Sequence, residues 1–290
     1  MNMDVVEPKV SVIMITYNHE MFIAEAIEGV LMQEVDFPIE LIIADDCSLD
    51  GTEAIVQKFI KEHPKGHWIK YTKHKTNKGM MPNFIWALEK AQGNYIALCE
   101  GDDYWTDPNK IEKQVKFLEL NKKYVLISHN VKAEKNGQII KGGAISFNCK
   151  ITLDNILKYN MINTLSVLFL NCLDEKDRIK LSKYQIGDWP IFAFVLQQGC
   201  GFLSTDYNAV YRIHNGGAWS SKDIENEKKS IEIVLDNFKQ DFKKKRKLID
   251  KTIFLLKNDY VKYSNLYSHL NFFQKNKLMR KIYNNVKHVI

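Results

Sequence analysis

The fold is decided by two apolar runs, Val10-Ser-Val-Ile-Met-Ile-Thr-Tyr-Asn18 and Glu40-Leu-Ile-Ile-Ala-Asp-Asp-Cys-Ser-Leu-Asp-Gly-Thr52. Each is short, rich in β-branched residues and followed by polar ones, which predicts a buried strand and then a loop. Residues 21–32 place apolar side chains at helical spacing between the two runs, and residues 52–60 repeat that spacing after them. The pattern therefore predicts strand, helix, strand and helix in that order.

The same alternation continues to about residue 120. The further predicted strands are residues 68–71 and 95–99, and the further predicted helices are residues 83–91 and 109–120. For the last helix, Asp107 is the expected N-cap and Pro108 the first helical residue. Strands that alternate with helices of about ten residues predict an α/β fold with a mainly parallel, Rossmann-like sheet flanked by helices.

Three polar clusters follow predicted strands, namely Thr16-Tyr17-Asn18, Asp45-Asp46 and Glu100-Gly101-Asp102-Asp103. In a parallel sheet the carboxyl ends of the strands share one edge, where ligands bind, so the clusters should meet there. The three carboxylates of the last cluster repel one another unless a cation or hydrogen-bond donors compensate. They suit Mg²⁺ or Mn²⁺, which one or two carboxylates and substrate phosphates often hold. The alternative is an acidic loop in which Asp103 or Asp107 only caps a helix.

The second cluster continues into Asp50-Gly51-Thr52, a turn that leads into a helix. Asp50 or Thr52 is available as the cap of that helix. Capping does not explain the preceding pair, Asp45 and Asp46. One of these two carboxylates is therefore expected to be free to accept hydrogen bonds from a base or a ribose.

Together these motifs resemble the family 2 glycosyltransferases, which adopt the GT-A fold. The likeness covers residues 9 to about 105 and adds Asn77-Lys-Gly79 and Gly93-Asn-Tyr-Ile-Ala-Leu-Cys-Glu-Gly-Asp-Asp103 to the two apolar runs. It implies an inverting, metal-dependent enzyme that transfers a sugar from a nucleotide diphosphate to an acceptor hydroxyl. UDP-sugars are the commonest donors in the family, and dTDP- and GDP-linked donors also occur.

The resemblance also implies roles for individual residues. The nucleotide would be held by Thr16, Tyr17, Asn18, Asp45, Asp46 and Ser48, with Lys78 and Gly79 in a nearby turn. The family's Asp-x-Asp metal motif corresponds to Glu100-Gly101-Asp102. Because Glu stands at its first position, Asp102 is the expected direct ligand, and Glu100 and Asp103 are expected to act on ribose or metal-bound water.

Two later segments extend the likeness. Ile186-Gly-Asp-Trp189 resembles the acidic motif that carries the general base in many members, so Asp188 is the predicted base. The alternative is that Asp188 is only the N-cap of the apolar helix that follows. Tyr211-Arg-Ile-His-Asn-Gly-Gly217 resembles a closing segment in which His214 completes the metal shell or touches the diphosphate. Arg212 is a second candidate for phosphate contact.

Beyond Tyr124 the pattern loosens. The predicted strands are residues 124–128, 137–140, 165–170 and 209–213, and the predicted helices are residues 153–159 and 189–198. Residues 1–221 would form the GT-A domain, with a nucleotide-sugar half at about 9–105 and an acceptor half at about 106–221. The acceptor would contact Asn163, Thr164, Ser166 and the loop 218–221. Trp189 and Trp219 would form an aromatic platform for a sugar, or simply be core.

Residues 222–290 are predicted to be a basic, helical C-terminal extension. They hold 17 Lys and Arg against 8 Asp and Glu, in a chain whose net charge is +6. The run Lys243-Lys-Lys-Arg-Lys247, inside an amphipathic segment, would bind anionic lipid and bring the enzyme to a lipid-linked acceptor. The alternative is a solvated helix face whose apolar stripe packs on the domain or on another subunit.

Composition points to the compartment. The five cysteines are widely spread without a Cys-x-x-Cys pair, which is typical of reduced structural thiols. No apolar run has the roughly 18–20 residues of a membrane span, and the N-terminus lacks the features of a signal peptide. A cytoplasmic protein is expected, with a peripheral position on the inner face of the membrane if the basic helices bind lipid.

The resemblance thus implies a glycosyltransferase of bacterial surface polysaccharide or glycan assembly, with Mn²⁺ or Mg²⁺ as cofactor and a glycan or lipid-linked acceptor. One alternative is a nucleotidyltransferase that makes an NDP-sugar, but residues 16–20 lack the Gly-rich basic loop of that class. Another is nucleic-acid binding through the basic tail. The chain has no recognisable motif for it, and its acidic clusters would repel phosphate without metal, so no nucleic-acid partner is expected.

Overall fold

The computed structural model describes residues 7–141, 145, 147–217 and 223–259. Its strands are β1 (Val10–Thr16), β2 (Ile39–Asp45), β3 (Ile69–Lys73), β4 (Tyr95–Leu98), β5 (Tyr104–Trp105), β6 (Tyr124–Lys135), β7 (Gln138–Lys141), β8 (Cys149–Ile151), β9 (Leu168–Leu170) and β10 (Cys200–Ile213). Its helices are α1 (Ile23–Leu31), α2 (Thr52–Glu62), α3 (Met80–Lys90), α4 (Lys110–Leu120), α5 (Leu153–Ile156), α6 (Glu175–Leu181), α7 (Asp188–Val195), α8 (Ile224–Asp241) and α9 (Arg246–Asn258). The strands form one sheet in the order β3-β2-β1-β4-β9-β6-β10-β5, with β7 beside β6 and β8 beside β10.

Strands β3, β2, β1 and β4 are parallel neighbours, as the sequence predicts. β1 is buried along its whole length. Its side chains alternate between two hydrophobic cores, so that Ile13 and Ile15 pack into one and Val12 and Met14 into the other. Because both faces are covered, the strand has no polar face, which explains its nearly continuous apolar sequence.

The second half of the sheet is mixed. β9 lies between β4 and β6 and is antiparallel to both. β10 runs parallel to β6 but antiparallel to β5 and β8. The predicted strand 209–213 is only the end of this 14-residue strand, and a 3₁₀ turn, Thr164–Ser166, replaces the start of the predicted strand 165–170. The α/β architecture with flanking helices is confirmed.

The predicted helix caps after the acidic loops are wrong. α4 begins at Lys110 with Asn109 as its N-cap, so Pro108 lies outside the helix. Asp107 closes the turn before it, where its Oδ1 accepts the Asn109 N–H at 2.9 Å. α2 has Gly51 as its N-cap, and Asp50 instead accepts the Thr52 N–H at 3.0 Å.

The described part of the C-terminal extension shares a core with α7. The apolar stripe of α8 is buried there, and α9 adds further buried residues. The rings of Phe238 on α8 and Trp189 on α7 lie 5.5 Å apart. Residues 218–222 and 260–290 lie outside the described residues, so the predicted domain boundary at residue 221 stays a prediction.

The five cysteines are free thiols, as the sequence predicts. None of the described helices combines the length and the apolar character that crossing a bilayer would require.

Candidate active site

The three polar clusters meet at one edge of the sheet. Thr16 and Asp45 are paired at the ends of β1 and β2. The chain after β4 continues alongside β1, because Cys99 N–H donates to Ile13 O at 3.1 Å and Gly101 N–H to Ile15 O at 3.0 Å. The acidic loop Glu100–Asp103 is therefore held beside Thr16, as expected for ligands at the carboxyl ends of parallel strands.

The loops after β1 and β2 are locked together by backbone and side-chain bonds. Asn18 N–H donates to Ser48 Oγ and Asn18 Oδ1 accepts the Leu49 N–H, both at 2.8 Å. Asn18 and Cys47 have φ angles of 55° and 70°, a conformation that residues other than glycine rarely adopt. Such strained positions cluster at functional sites, where the surrounding structure holds them in place. Tyr17, which precedes Asn18, is 43% exposed.

Both carboxylates of the Asp45-Asp46 pair are already hydrogen-bonded. Asp45 is fully buried and accepts the Ser48 N–H and the Tyr71 hydroxyl, each at 2.7 Å. Asp46 accepts the N–H groups of Lys78 and Gly79 at 2.7 and 2.9 Å. The pair therefore holds the surrounding loops in shape. An ionised carboxylate has about four acceptor positions, so the expected hydrogen bond from one of the two to a base or a ribose stays a prediction. Asp46, which keeps 4% of its surface exposed, is the one a nucleotide could reach.

The turn at Asn77-Lys78-Gly79 lies next to this pair, as the sequence predicts. The two hydrogen bonds from its backbone N–H groups to Asp46 fix the backbone of the turn, while the Lys78 side chain is exposed. Gly79 has a φ angle of 87°, which L-residues rarely adopt. The turn leads directly into α3, whose first residue, Met80, lines the cavity described below.

Asp102 lies between two histidines. Its Oδ2 is 3.1 Å from His214 Nε2 and 3.8 Å from His19 Nε2. Burial opposes ionisation of Asp102, but the bond to His214 and the nearness of His19 outweigh burial and lower its pKa. Burial lowers the pKa of His19, which favours the neutral imidazole that binds metals. The structure thus brings the two predicted metal ligands, Asp102 and His214, together.

His19 was missed by the sequence analysis. Its ring is 6.3 Å from that of His214, and its Nδ1 is buried without a hydrogen-bond partner among the described residues. Gly101 makes this packing possible, because a Cβ there would lie 2.7 Å from Thr16 Oγ1 and 2.9 Å from His19 Nδ1. The signal was present in the sequence as a His directly after Thr-Tyr-Asn, but only the fold shows that it faces Asp102.

The other two carboxylates of the acidic loop differ in position. Glu100 lines the cavity, and burial, with Asp102 and Asp188 nearby, raises its pKa well above the usual value. Asp103 is 1% exposed, and its Oδ1 accepts the Arg212 N–H at 2.8 Å, which ties β10 to the loop. The expected contact of Asp103 with ribose or metal-bound water is not supported by this burial.

Arg212 is occupied by protein groups. Its guanidinium is hydrogen-bonded to Glu25 and lies 3.6 Å from Glu134 Oε2 and 4.3 Å above the ring of Tyr104. It also donates to the Asp102 carbonyl at 3.1 Å. In the structure this side chain braces the acidic loop, and its predicted phosphate contact stays a prediction.

Asp188 is the first residue of α7, and Gly187 is the N-cap, so the capping alternative does not hold. One carboxylate oxygen accepts the Trp189 N–H at 2.7 Å. The other accepts from Asn160 Nδ2 at 3.0 Å and from the Thr164 hydroxyl at 3.1 Å. Burial raises the pKa of Asp188, and these three bonds partly offset the effect by stabilising the ionised form.

Asp102 and Asp188 line one cavity of about 340 Å³, within the range of small-molecule sites. It lies between the acidic loop, the 3₁₀ turn and the first residues of α7 and α8. Asn163 and Thr164, which were predicted to contact an acceptor, are on its wall, whereas Ser166 is fully buried. Trp189 donates from its ring to Ile156 O at 2.6 Å and is core rather than an open platform. Trp219 and the loop 218–221 lie outside the described residues.

The 3₁₀ turn that carries Thr164 is braced from below. Trp105 Nε1 donates to Leu165 O at 2.7 Å, and Gln114 Nε2 donates to Ser166 O at 2.8 Å. Gln114 in turn accepts from Lys110 Nζ at 2.9 Å, and this ammonium lies 4.0 Å above the ring of Trp105. Because Trp105 follows the acidic loop directly, these contacts connect that loop to the residue that orients Asp188.

The model of the family "Glycosyl transferase family 2" matches residues 11–170. The chain belongs to this family. It is 35% identical over 213 residues to an uncharacterized protein of Mycobacterium tuberculosis, a match that covers 73% of this chain and 60% of the relative. It is also 31% identical, over 73% of this chain and 80% of the relative, to the Escherichia coli UDP-Glc:alpha-D-GlcNAc-diphosphoundecaprenol beta-1,3-glucosyltransferase WfaP.

Among solved structures, residues 1–349 of S. aureus TarS in complex with UDP-GlcNAc superpose with a TM-score of 0.66 at 20% identity. The match covers 93% of this chain and 76% of that one. This likeness shows the fold, so the family 2 chain adopts the GT-A architecture that its sequence predicts. The chain spans less than two thirds of the length of its mycobacterial relatives.

Proposed function

We propose that this family 2 protein is an inverting glycosyltransferase that transfers a sugar from a UDP-sugar to an acceptor hydroxyl. The observation that carries the proposal is that Asp188 and Asp102 line the same cavity. Asp102 has a lowered pKa and sits between histidines, and Asp188 has a raised pKa and a fixed orientation. Two carboxylates held in different environments are suited to different roles in one reaction.

Asp188 is the proposed general base. The acceptor hydroxyl would give its proton to the Asp188 carboxylate as its oxygen attacks the anomeric carbon from the face opposite the leaving diphosphate, which inverts that carbon. A raised pKa makes the carboxylate a stronger base. The hydrogen bonds from Trp189, Thr164 and Asn160 fix its orientation. General-base assistance of this kind is worth about 10²–10⁴-fold in rate.

Asp102 and His214 are the proposed protein ligands of Mn²⁺ or Mg²⁺, with His19 beside them. A hard carboxylate fits such an ion, and the buried Nδ1 of His19, which has no hydrogen-bond partner among the described residues, marks a polar site. Within the described residues no three His, Cys, Asp or Glu side chains form a metal cluster. Two protein ligands suffice when substrate phosphates complete the shell. When bound, the ion would neutralise the charge that develops on the leaving diphosphate.

The loops after β1 and β2 are the proposed nucleotide site. Its members are the predicted residues Thr16, Tyr17, Asn18, Asp45, Asp46, Ser48, Lys78 and Gly79. In this proposal Tyr17 and Asp46 face the nucleotide, while Asp45 and Ser48 hold the loop in shape. Glu100 would contact the ribose or the sugar from the cavity wall, and Arg212 and Asp103 would position the acidic loop.

The acceptor side is proposed from the relatives. The printed name of WfaP gives it a diphosphoundecaprenol-linked acceptor, and we propose a glycan or lipid-linked acceptor in bacterial surface polysaccharide assembly for this chain. A peripheral position on the cytoplasmic face of the membrane would follow. Lys243, Lys244 and Lys247 are exposed, and so is Phe254 on the same C-terminal extension, a combination that suits an anionic lipid surface.

The donor is tested first by thermal unfolding and then by turnover. UDP with Mn²⁺ should raise the unfolding temperature, and an oligonucleotide should not. A screen of UDP-, dTDP- and GDP-sugars for released nucleoside diphosphate then identifies the donor. Asp188→Asn should lower turnover by about 10²–10⁴-fold and leave nucleotide affinity nearly intact. Asp102→Ala should instead weaken metal-dependent nucleotide binding.

A matched control for these variants is Asp206→Asn, which neutralises an exposed carboxylate on β10 that does not line the cavity. It should behave as the unmodified protein. Near-normal turnover of Asp188→Asn would remove the base assignment, and unchanged affinity of Asp102→Ala for UDP with Mn²⁺ would remove the metal assignment.

Membrane contact is tested by co-sedimentation of the full chain with vesicles. Binding should need anionic lipid, weaken with salt, and fall when Lys243, Lys244 and Lys247 are all changed to Gln. The control variant changes three exposed lysines at α4 instead, namely Lys116, Lys122 and Lys123. Equal sedimentation with neutral and anionic vesicles would reject the proposal.

A further inference from the structure

Within the described residues, the charged side chains that line the cavity of Asp102 and Asp188 are all carboxylates. Four carboxylates line it, from Glu100, Asp102, Asp188 and Glu227, and no Lys, Arg or His is among the lining residues that the structure describes. The two basic side chains of the closing segment are engaged elsewhere, Arg212 with Glu25 and His214 with Asp102. The rest of the wall is apolar or neutral, with amides from Asn160, Asn163 and Gln185.

Glu227 comes from the C-terminal extension. It lies in the first turn of α8, whose N-cap, Asp223, accepts the Asn226 N–H at 2.8 Å. Glu227 and Ile231 are four residues apart and therefore share a helix face. Ile231 is buried in the core that contains Trp189, the neighbour of Asp188. Packing of α8 thus fixes Glu227 at the cavity wall, where its carboxylate has no hydrogen bond or ion pair within the described residues.

We infer that this cavity takes an uncharged transferred sugar and rejects uronates and other anionic sugars, with Glu227 as a specificity-determining residue. The inference rests on the proposed function, since it concerns the sugar of the donor. That sugar must lie between the diphosphate at Asp102 and the hydroxyl activated by Asp188, which is the position of the cavity.

The physical reason is the balance between hydrogen bonding and repulsion. Sugar hydroxyls donate to carboxylates and amides, so a neutral hexose finds acceptors on several sides of the cavity. A uronate would bring its own carboxylate into a partly desolvated space, where none of the described lining residues is a cation that could pair with it. A divalent ion at Asp102 is balanced by the diphosphate, so it leaves the ionised base Asp188 and Glu227 to repel the anion.

Calorimetric titration in the presence of Mn²⁺ tests the inference with matched pairs of donors. UDP-glucose is compared with UDP-glucuronate, GDP-mannose with GDP-mannuronate, and UDP and GDP serve as references. For the nucleotide that binds, the neutral sugar should bind about 100-fold more tightly than the uronate. Equal affinities within a pair would overturn the inference while leaving the proposed function standing. No binding of either nucleoside diphosphate would instead overturn the proposed function, and this inference with it.

Reversing the charge at position 227 tests whether Glu227 causes the preference for the neutral sugar. Glu227→Lys should raise uronate affinity by about tenfold or more and reduce the preference for the neutral sugar, and Glu227→Gln should lie between. Glu225→Lys makes the same change at an exposed position of the same helix turn, outside the cavity, and should leave the preference unchanged. If both Lys variants shift the preference equally, Glu227 is not the determinant. Thermal unfolding of each variant establishes that it is folded.

Discussion

At the scale of single residues, the site contains carboxylates whose surroundings shift their pKa values in opposite directions. Asp102 has two histidines within 3.8 Å, which lower its pKa against the effect of burial. Among the described residues, Asp188 has three neutral donors, and the effect of burial exceeds theirs, so its pKa rises. The same side-chain chemistry thus gives two carboxylates whose pKa values are shifted in opposite directions, which suits the roles proposed for them, metal ligand for Asp102 and general base for Asp188.

The raised pKa of Asp188 predicts the acid limb of the pH–activity profile. The base works only when ionised, so activity should fall as pH drops through the raised pKa, at a higher pH than for an ordinary Asp. The Thr164 hydroxyl stabilises the ionised form, so Thr164→Val should move this limb to still higher pH. A profile of kcat/KM against pH measures the shift. Thr106→Val, at an exposed residue outside the cavity, is the control, and coincident acid limbs would contradict the prediction.

Close packing at Gly101 predicts a second residue-scale effect. Gly101→Ala would place a Cβ 2.7 Å from Thr16 Oγ1, so the acidic loop must shift. Overpacking should cost about 1–3 kcal/mol of unfolding free energy and weaken Mn²⁺-dependent nucleotide binding. Denaturant unfolding and calorimetry measure the two effects. Gly187→Ala is the control for stability, because its Cβ would meet nothing nearer than 3.6 Å. Equal stability of the two variants would refute this account of Gly101.

At the scale of elements, α4 and the segment after β4 support the 3₁₀ turn that orients Asp188. Lys110, on α4, is fully buried. Its ammonium group donates to Gln114 and lies above the ring of Trp105. Burial lowers the pKa of Lys110 to about 7. An ammonium is costly in such a place, so its charge state should be visible in the stability of the fold.

Lys110 predicts a rise of stability with pH. Between its folded pKa of about 7 and its unfolded value near 10.4, the unfolded chain binds the proton that the folded chain has lost. Stability should therefore increase from pH 7 to 9, by up to about 1.4 kcal/mol per pH unit from this group. Lys110→Met should lack that contribution, as seen in denaturant unfolding at several pH values. Lys113→Met, on the exposed side of α4, should keep it, and parallel curves for all three proteins would rule out the effect.

At the scale of the whole molecule, the described C-terminal helices belong to the same core as α7, the helix that begins with Asp188. Phe238 of α8 is buried against Trp189, and Glu227 reaches the cavity from the same helix. The extension therefore contributes to the site as well as to any membrane contact.

This shared core predicts that Phe238→Ala lowers the unfolding free energy of the molecule by about 3–5 kcal/mol. Denaturant unfolding followed by fluorescence should remain a single transition. Phe254→Ala on α9 is the control, since this ring is 65% exposed and its loss should change stability by about 0.5 kcal/mol or less. A separate early transition for the extension, or equal effects of the two variants, would show that the cores are independent.

The sequence predicts the parallel half of the fold well, because β1 and β2 are buried on both faces and their apolar runs are unambiguous. It also predicts the meeting of Asp45, Asp102 and His214. It does not predict what depends on contacts across the chain. Residue 19 reaches Asp102 only through the fold, and β9 is inserted between β4 and β6 by pairing that no local pattern encodes.

The long strand β10 has a consequence for how this chain tolerates changes in length. Its register against β6 shifts at three places, between Cys200 and Gly201, Ser204 and Tyr207, and Tyr207 and Val210. Since neighbouring strand residues point to opposite faces, deleting one residue inside β10 would turn Arg212 outward and carry His214 away from Asp102. Insertions should instead be accommodated at the hairpin tip, Asn136-Gly137, where both residues already adopt positive φ angles.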